Sequence, residues 1–425
     1  MDERIELLRQ YNLWNGQLPD VGFIRNTYTE LLWKLTGNRL IKVLAGQRRV
    51  GKSYLLRQIA VKLISEGIPT QNIFILNKEI EDFSFIKNDA QLNELFKLYL
   101  KELKPQGKVY LFLDEVQNIE GWERFVNSCS QDYMNEYEVF ISGSNSNMLS
   151  GQLATLLSGR YVKIEVYPFS YNEYSAYFQK VEGHESFSQY LHNSGMPELF
   201  HLKDDETRRY YVSSLKDTIL LRDIIGKYKV RDITLLEDLF VYIVNNASNL
   251  VSVSNIVKYM KSQGRKASYE TVSAYLRYME DTYILHHAEK YNIKGKNVIG
   301  GPVKYYTNDL AFRNYLYRGF GYGDGYLLEN EIYIELKRQG FDVYTGNIDQ
   351  KEIDFTAFKG DRRVYVQATF SLQDETTSRR EYAPLESVND SFEKYVVSMD
   401  NFTLPLNRGI RHVQAWDFSR ILRNF

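Results

Sequence analysis

Gly46-Gln47-Arg48-Arg49-Val50-Gly51-Lys52-Ser53 sets two glycines with four residues between them and follows the second with a lysine and a hydroxyl. That order suits one chemistry, the holding of a triphosphate. The glycines let backbone N–H groups turn inward around the phosphates, and a helix starting at Lys52 adds the positive end of its dipole. Lys52 reaches the β- and γ-phosphates and Ser53 ligates magnesium, while Gln47, Arg48, Arg49 and Val50 form the loop and Tyr54 follows it. A glycine turn before an unrelated helix is the bland alternative. The complete match, with the apolar run Leu40–Leu44 before it and a helical stretch after it, favours a P-loop that binds ATP.

Val109-Tyr110-Leu111-Phe112-Leu113 is wholly apolar and ends in two carboxylates, Asp114 and Glu115. Asp114 leaves the strand where it can hold the magnesium through water, and Glu115 is the natural base to orient and polarise an attacking water. Paired acids also start helices, where they favour the dipole. Behind a complete P-loop the metal and water roles are the stronger reading. The next apolar run ends Ser142-Gly143-Ser144-Asn145; Ser144 or Asn145 can sit between the γ-phosphate and the water, a plain turn being the alternative. Arg160 is either an ordinary surface arginine or a guanidinium that stabilises transition-state charge, in cis or across a subunit boundary.

These groups need a scaffold that brings strand ends together. Apolar runs at 40–44, 72–76, 109–113 and 138–142 alternate with helical stretches at 52–66, 92–103 and 121–129, which predicts a doubly wound α/β domain with a parallel sheet. Such folds bind ligands beyond the carboxyl ends of their strands, where the glycine-rich and acidic signals lie. The pattern from 168 to about 232 is helical, broken by Gly195-Met196-Pro197. Three helical stretches over 233–283 precede two strands, 285–291 and 303–307, around the Gly/Lys loop 294–301, the plan of a winged helix. The remainder opens on the glycine-rich loop 319–325 and reads helix 327–339, strands 342–344, 352–358 and 363–370, helix 378–387 and strand 395–399.

With 425 residues the chain is too long for one core, and at 44% hydrophobic and 25% charged it is globular. A net charge of −1 excludes a general attraction for nucleic acid or anionic lipid, so such binding needs a local patch. The lone Cys129 excludes an intrachain disulfide and a cysteine zinc cluster, and is simplest as a buried apolar group. The charged start MDERIELLRQ lacks a signal-peptide core, and no apolar run nears the roughly 18 residues of a membrane span. A cytoplasmic protein without membrane contact is expected.

Together these residues resemble the AAA-14 type of prokaryotic ATPase that carries the C-terminal DUF4143 part. The resemblance rests on LAGQRRVGKSYLL (44–56), LFLDE (111–115), ISGSNSNMLS (141–150), LSGR (157–160), PFSYNEY (168–174), the Gly-x-Pro at 195–197 and Leu221-Arg222-Asp223, and it spans essentially the whole chain. It implies an AAA+-like or STAND-like P-loop NTPase core (1–166), a helical lid (167–232), a winged helix (233–318) and a nuclease-like α/β domain (319–425). It also implies that Gly195 and Pro197 pack near the adenine.

Glu329, Glu352-Ile353-Asp354 and Val366-Gln367-Ala368-Thr369 resemble the PD-(D/E)xK nuclease core, in which a helix glutamate and a strand aspartate hold magnesium. Gln367 replaces the second carboxylate and Thr369 stands where a lysine belongs, so a relic or binding module is favoured over an active nuclease. Thr376, Arg379, Arg380 and Glu381 are either a charged solvated face or the source of a migrated group. Residues 258–296 carry 8 basic and 4 acidic side chains, with Lys261, Arg265, Lys266, Lys290, Lys294 and Lys296 at the turn and wing. Phosphate contacts to DNA are one reading. A protein contact is the other, since the third helix carries Glu270, Glu280 and Asp281 against Arg277. The expectation is a magnesium-dependent ATPase, able to form homo-oligomers, coupled to these modules. An ATP-regulated DNA nuclease and an ATP-sensing DNA-binding or scaffold protein with little turnover are the alternatives.

Overall fold

The computed structural model describes residues 2–145, 157, 159–317 and 323–423. The motif residues 146–150, Ser158 and the loop residues 319–322 lie outside the described residues. The chain divides into two compact units, Met1–Val166 and Tyr167–Phe425. Among the described residues no helix is long and apolar enough to cross a membrane.

In the first unit the apolar runs become strands. β1 (Ile41–Ala45), β2 (Ile73–Asn77), β3 (Val109–Asp114), β4 (Tyr137–Gly143) and β5 (Tyr161–Glu165) form one parallel sheet in the order β2-β3-β4-β1-β5. β1 and β3 are buried throughout, as strands are when helices cover both faces of a sheet. The helices are α1 (Glu3–Tyr11), α2 (Asn26–Lys34), α3 (Lys52–Ser65), α4 (Asp89–Leu103) and α5 (Trp122–Gln131). α4 shows why such a segment is helical. Asn88 caps its start by accepting the Gln91 N–H, and Leu92, Leu95, Phe96 and Tyr99 recur at helical spacing and are all buried. Cys129 is buried in this core, and burial pushes its thiol up to about 12.

One charge pair lies inside the sheet. Lys42 on β1 donates to Glu138 on β4 at 2.5 Å, and both side chains are wholly buried. Glu138 also accepts the Gly37 N–H at 2.9 Å and faces Lys108 at 3.3 Å. Its oxygens are therefore satisfied from three sides, the condition under which a charge can leave water.

The second unit begins with helices Tyr171–Tyr177, His184–Asn193 and Asp205–Asp217, the last running into a π-helical stretch, Thr218–Ile225, that holds Leu221-Arg222-Asp223. Helix Ile233–Asn245, strand β6 (Leu250–Val251), helices Val253–Ser262 and Tyr269–Asp281, and the hairpin β7 (Leu285–Asn292) and β8 (Asn297–Thr307) follow. After helix Asp324–Arg338 come β9 (Asp342–Ile348), β10 (Lys351–Lys359), β11 (Arg362–Thr369), helix Glu375–Glu386, β12 (Glu393–Ser398), β13 (Ile410–Gln414) and helix Phe418–Arg423. All eight strands share one sheet in the order β13-β12-β11-β10-β9-β7-β8-β6. β9, β10 and β11 are antiparallel, β12 and β13 continue parallel to β11, and β7 runs parallel to β9.

The hairpin loop is shorter than its Gly/Lys composition suggests. β8 runs through Gly300-Gly301-Pro302, and the register shifts between Ala288 and Lys290 opposite them, so the glycines absorb an irregularity within the ladder. One hydrophobic core joins Tyr167 from the start of the unit, Tyr174 and Tyr190 from its first helices, Ala288 and Tyr306 from the hairpin, and Leu328, Phe355, Val366 and Phe418 from the C-terminal elements.

Lys42→Met would strand Glu138 in the first unit's core beside Lys108, whose side chain is already a quarter exposed. It should cost about 3–5 kcal/mol of stability, read as a shift in denaturant midpoint. Adding Glu138→Leu should recover most of the loss. A single variant as stable as the wild type would show that the pair contributes nothing.

Candidate functional site

The P-loop leaves β1 at its carboxyl end. A side chain on Gly46 would meet the Val166 carbonyl oxygen at 2.3 Å, and Gly46 and Gly51 have φ of 155° and 97°. Between them Arg49 also turns left-handed, at 69°. This alternation turns N–H groups inward to form an anion cradle, and α3 begins immediately after it. The residues therefore fit a triphosphate with its divalent ion. Gln47 and Val50 are fully buried, Arg48 pairs with Glu79 at 2.7 Å, and Arg49 is exposed. Tyr54, 40% exposed, carries the Arg57 guanidinium 4.1 Å over its ring.

Lys52 is buried, and its ammonium donates to the Gly46 and Gln47 carbonyls, each at 2.9 Å, and stands 3.9 Å from Glu115. Asp114 ends β3, hydrogen-bonded to Ser53 and, by a very short bond, to the Ser142 hydroxyl of β4. Burial, with Glu115 next to it, pushes the Asp114 carboxyl up, a situation a bound cation relieves. Glu115 adopts the left-handed region, φ 53°, and its N–H donates to Ser142 Oγ at 3.2 Å. Its carboxylate accepts from Ser144 Oγ at 3.2 Å and from the Gln117 amide. Asn145 follows, buried, at the same strand end. Lys52, Ser53, Asp114, Glu115, Ser144 and the P-loop are thus gathered at one edge of the sheet.

Arg160 is not brought to this edge. The register pairs Ile41 with Tyr161 and Ala45 with Glu165, and the Arg160 carbonyl accepts the Ile41 N–H at 2.9 Å. It therefore lies at the other end of β1, roughly 16 Å away at the usual rise per residue. The in-cis role expected for this exposed arginine is corrected by that register. Gly195 and Pro197 belong to the second unit. The Gly195 N–H donates to Asp309 at 2.9 Å, its carbonyl accepts from Phe169, and a side chain there would strike the Phe169 carbonyl at 2.3 Å. Burial pushes Asp309 up to about 6.

Sequence reasoning missed the groups that support the site. Arg25, 2% exposed, donates to the Val50 carbonyl at 2.9 Å from behind the loop. Gln58 of α3 holds the irregular segment that leads into α2 by donating to the Val21 and Phe23 carbonyls, both at 2.8 Å. Neither residue carries a local signal, because both act across the fold. Ser142 and Gln117 were legible only as neighbours of the motifs.

In the second unit Glu329, Asp354 and Gln367 do converge, and Lys304 of β8 arrives among them. Its Nζ lies 2.9 Å from Glu329, 2.8 Å from Glu352 and 3.3 Å from Asp354. Burial opposes the lysine's charge, but Asp354, Glu329 and Glu352 outweigh it and hold its pKa up. Burial and then Asp354 push Glu329 up. A lone lysine inside the strand run Val303–Thr307 was the available signal. Glu381 accepts from Gln367 at 2.8 Å and pairs with Arg380 of its own helix, also at 2.8 Å, while Arg379 is exposed and paired with Glu375.

The AAA_14 family, described as an AAA domain, matches residues 38–175, and a domain of unknown function, DUF8612, matches residues 184–321. DUF8612 is thus found where DUF4143 was expected over 184–321, and DUF4143 itself is not shown. An uncharacterized protein of Haemophilus influenzae is 33% identical over 381 residues, covering 88% of this chain and 92% of its own. The uncharacterized protein MJ1544 of Methanocaldococcus jannaschii is 28% identical over 388 residues, 88% of this chain and 82% of its own. Among solved structures, the walker-type ATPase PABY2304 of Pyrococcus abyssi shows 15% identity and a TM-score of 0.47 over 68% of this chain and 94% of that one. The chain belongs to the same family as the Haemophilus influenzae protein and carries, in its first unit, the AAA domain of an ATP-binding P-loop ATPase.

Proposed function

We propose that the chain hydrolyses ATP with magnesium. The observation that carries this reading is the Glu115 carboxylate, held by Ser144 and Gln117 and 3.9 Å from Lys52 at the mouth of the P-loop. The loop N–H groups bind the phosphates, Lys52 turns from its own loop carbonyls to the β- and γ-oxygens, and Ser53 and Asp114 hold the metal. Bound magnesium supplies neutralisation of the charge that develops on the phosphate oxygens. Glu115 orients the water and takes its proton, and Ser144 or Asn145 keeps that water in line. Arg160, exposed at the far end of β1, suits action on a neighbouring copy's site rather than its own.

The second unit is read as a winged helix joined to a nuclease-like fold. The order helix, strand, helix, helix, hairpin supports the first part. The order helix, β9, β10, β11, helix, β12, with β12 parallel to β11, supports the second. Of the basic groups at the turn and wing, Arg265 pairs with Asp238 and Lys294 with Asp349 at 2.6 Å. Those pairings leave fewer of the basic groups to meet phosphates.

Lys52→Ala removes the mobile positive charge that faces the phosphates and should weaken ATP binding on the order of 100-fold, measured by titration calorimetry. Equal affinity in mutant and wild type would remove the P-loop assignment. Glu115→Gln keeps shape and hydrogen bonding but cannot accept a proton. ATP should bind it normally while turnover, followed by phosphate release, drops on the order of 100-fold. Unchanged turnover would place the base elsewhere.

A further inference from the structure

We propose that Lys304 is a built-in cation: its ammonium fills the place a divalent ion takes among nuclease carboxylates, so that the cluster fastens the hairpin to the C-terminal core instead of holding metal. The proposal rests on the nuclease-like reading of the second unit. β8 contributes two alternate residues to the cluster, which therefore point to one face. Lys304 Nζ directs its three N–H donors to Glu329, Glu352 and Asp354, and Tyr306 donates its hydroxyl to the same Glu329 oxygen at 2.9 Å.

Asp354 and Gln367 are further engaged. The second Asp354 oxygen accepts the Ala368 N–H at 2.9 Å. Gln367, which stands in the second-carboxylate position, turns its oxygen to the Asp354 N–H at 3.3 Å and its amide to Glu381 at 2.8 Å. Magnesium gathers oxygens at about 2.1 Å and demands near-octahedral geometry. The carboxylates here stand at ammonium distance, 2.8–3.3 Å, around a side chain only 5% exposed. A metal would have to displace that side chain into a closed interior. The residues present do not fit a resident divalent ion.

An ammonium with all three protons engaged also has no lone pair with which to activate water. Lys304 is thus a fastener and not the missing nuclease lysine supplied from another strand. The sheet agrees with this role, since β7 of the same hairpin pairs with β9 through Lys290–Asn292 and Thr345–Asn347.

The test uses the full chain without nucleotide, with Mn²⁺ as the probe, read by electron paramagnetic resonance and by thermal unfolding. Wild type should unfold at the same temperature with or without millimolar Mn²⁺ and show no bound Mn²⁺ that Asp354→Asn removes. Lys304→Ala strands three carboxylates, so its midpoint should fall on the order of 10 °C. Mn²⁺ should restore most of that loss and appear as one bound ion, and both effects should vanish in Lys304→Ala/Asp354→Asn. If Lys304→Ala does not fold alone, refolding from denaturant with and without Mn²⁺ reads the same rescue. Asp354-dependent Mn²⁺ binding by wild type would overturn the proposal while leaving the nuclease-like reading intact. A destabilised Lys304→Ala that Mn²⁺ does not rescue, or one as stable as wild type, would overturn the proposal and leave the nuclease-like reading, which rests on the order and pairing of the elements, intact.

Discussion

Where β1 ends, the Val166 N–H donates to the Ala45 carbonyl at 2.7 Å, and the Val166 carbonyl then lies so close to Gly46 that no side chain fits between them. The chain can turn into the phosphate loop at that point only because the residue there is bare. From this contact the rest of the nucleotide edge follows. β5 pins the start of the loop, Arg25 takes the Val50 carbonyl from behind, and Lys52 holds the carbonyls of Gly46 and Gln47 from within. The N–H groups are thus aimed before a ligand arrives, and aimed donors need no reorganisation when charge develops.

Both units bury a lysine in a strand, and they match it differently. Lys42 meets one principal partner, Glu138, in the middle of the parallel sheet. Lys304 meets three carboxylates, of which Glu352 stays a third exposed. In each case a slip of the strand by one residue would turn the lysine to the opposite face and leave carboxylates unmatched, so the charges fix register as well as stability. Burial of a cation is costly in isolation, and here its partners come from elements distant in sequence. Such pairs therefore reinforce topologies that local propensity cannot enforce.

The strands of the nucleotide domain were legible because doubly covered parallel strands are written as continuous apolar runs, as in Val109–Leu113 and Val139–Ile141. The P-loop and Asp114-Glu115 were legible because their chemistry is packed into adjacent residues. What escaped was whatever depends on pairing at a distance. β5 and β13 are short and only partly buried, with Arg411 exposed, and so carry little periodicity. The parallel contact of β7 with β9, which runs the hairpin into the C-terminal sheet, has no local sign at all. Arg160 could be recognised as a candidate, but its place at the far end of β1 follows from the β1–β5 register, which no window around Gly159-Arg160 contains.

Glu115 occupies the left-handed region immediately after β3, a conformation that glycine and asparagine adopt readily and glutamate does not. Holding it there costs roughly 1–2 kcal/mol. The turn is also what swings its carboxylate away from the strand axis toward Ser144 and Gln117. Stability and chemistry accordingly pull in opposite directions at this one residue. An enrichment for heat resistance alone would drift toward glycine or asparagine at 115, and, with Glu115 in its proposed role as base, the most robust proteins it returned would be slow.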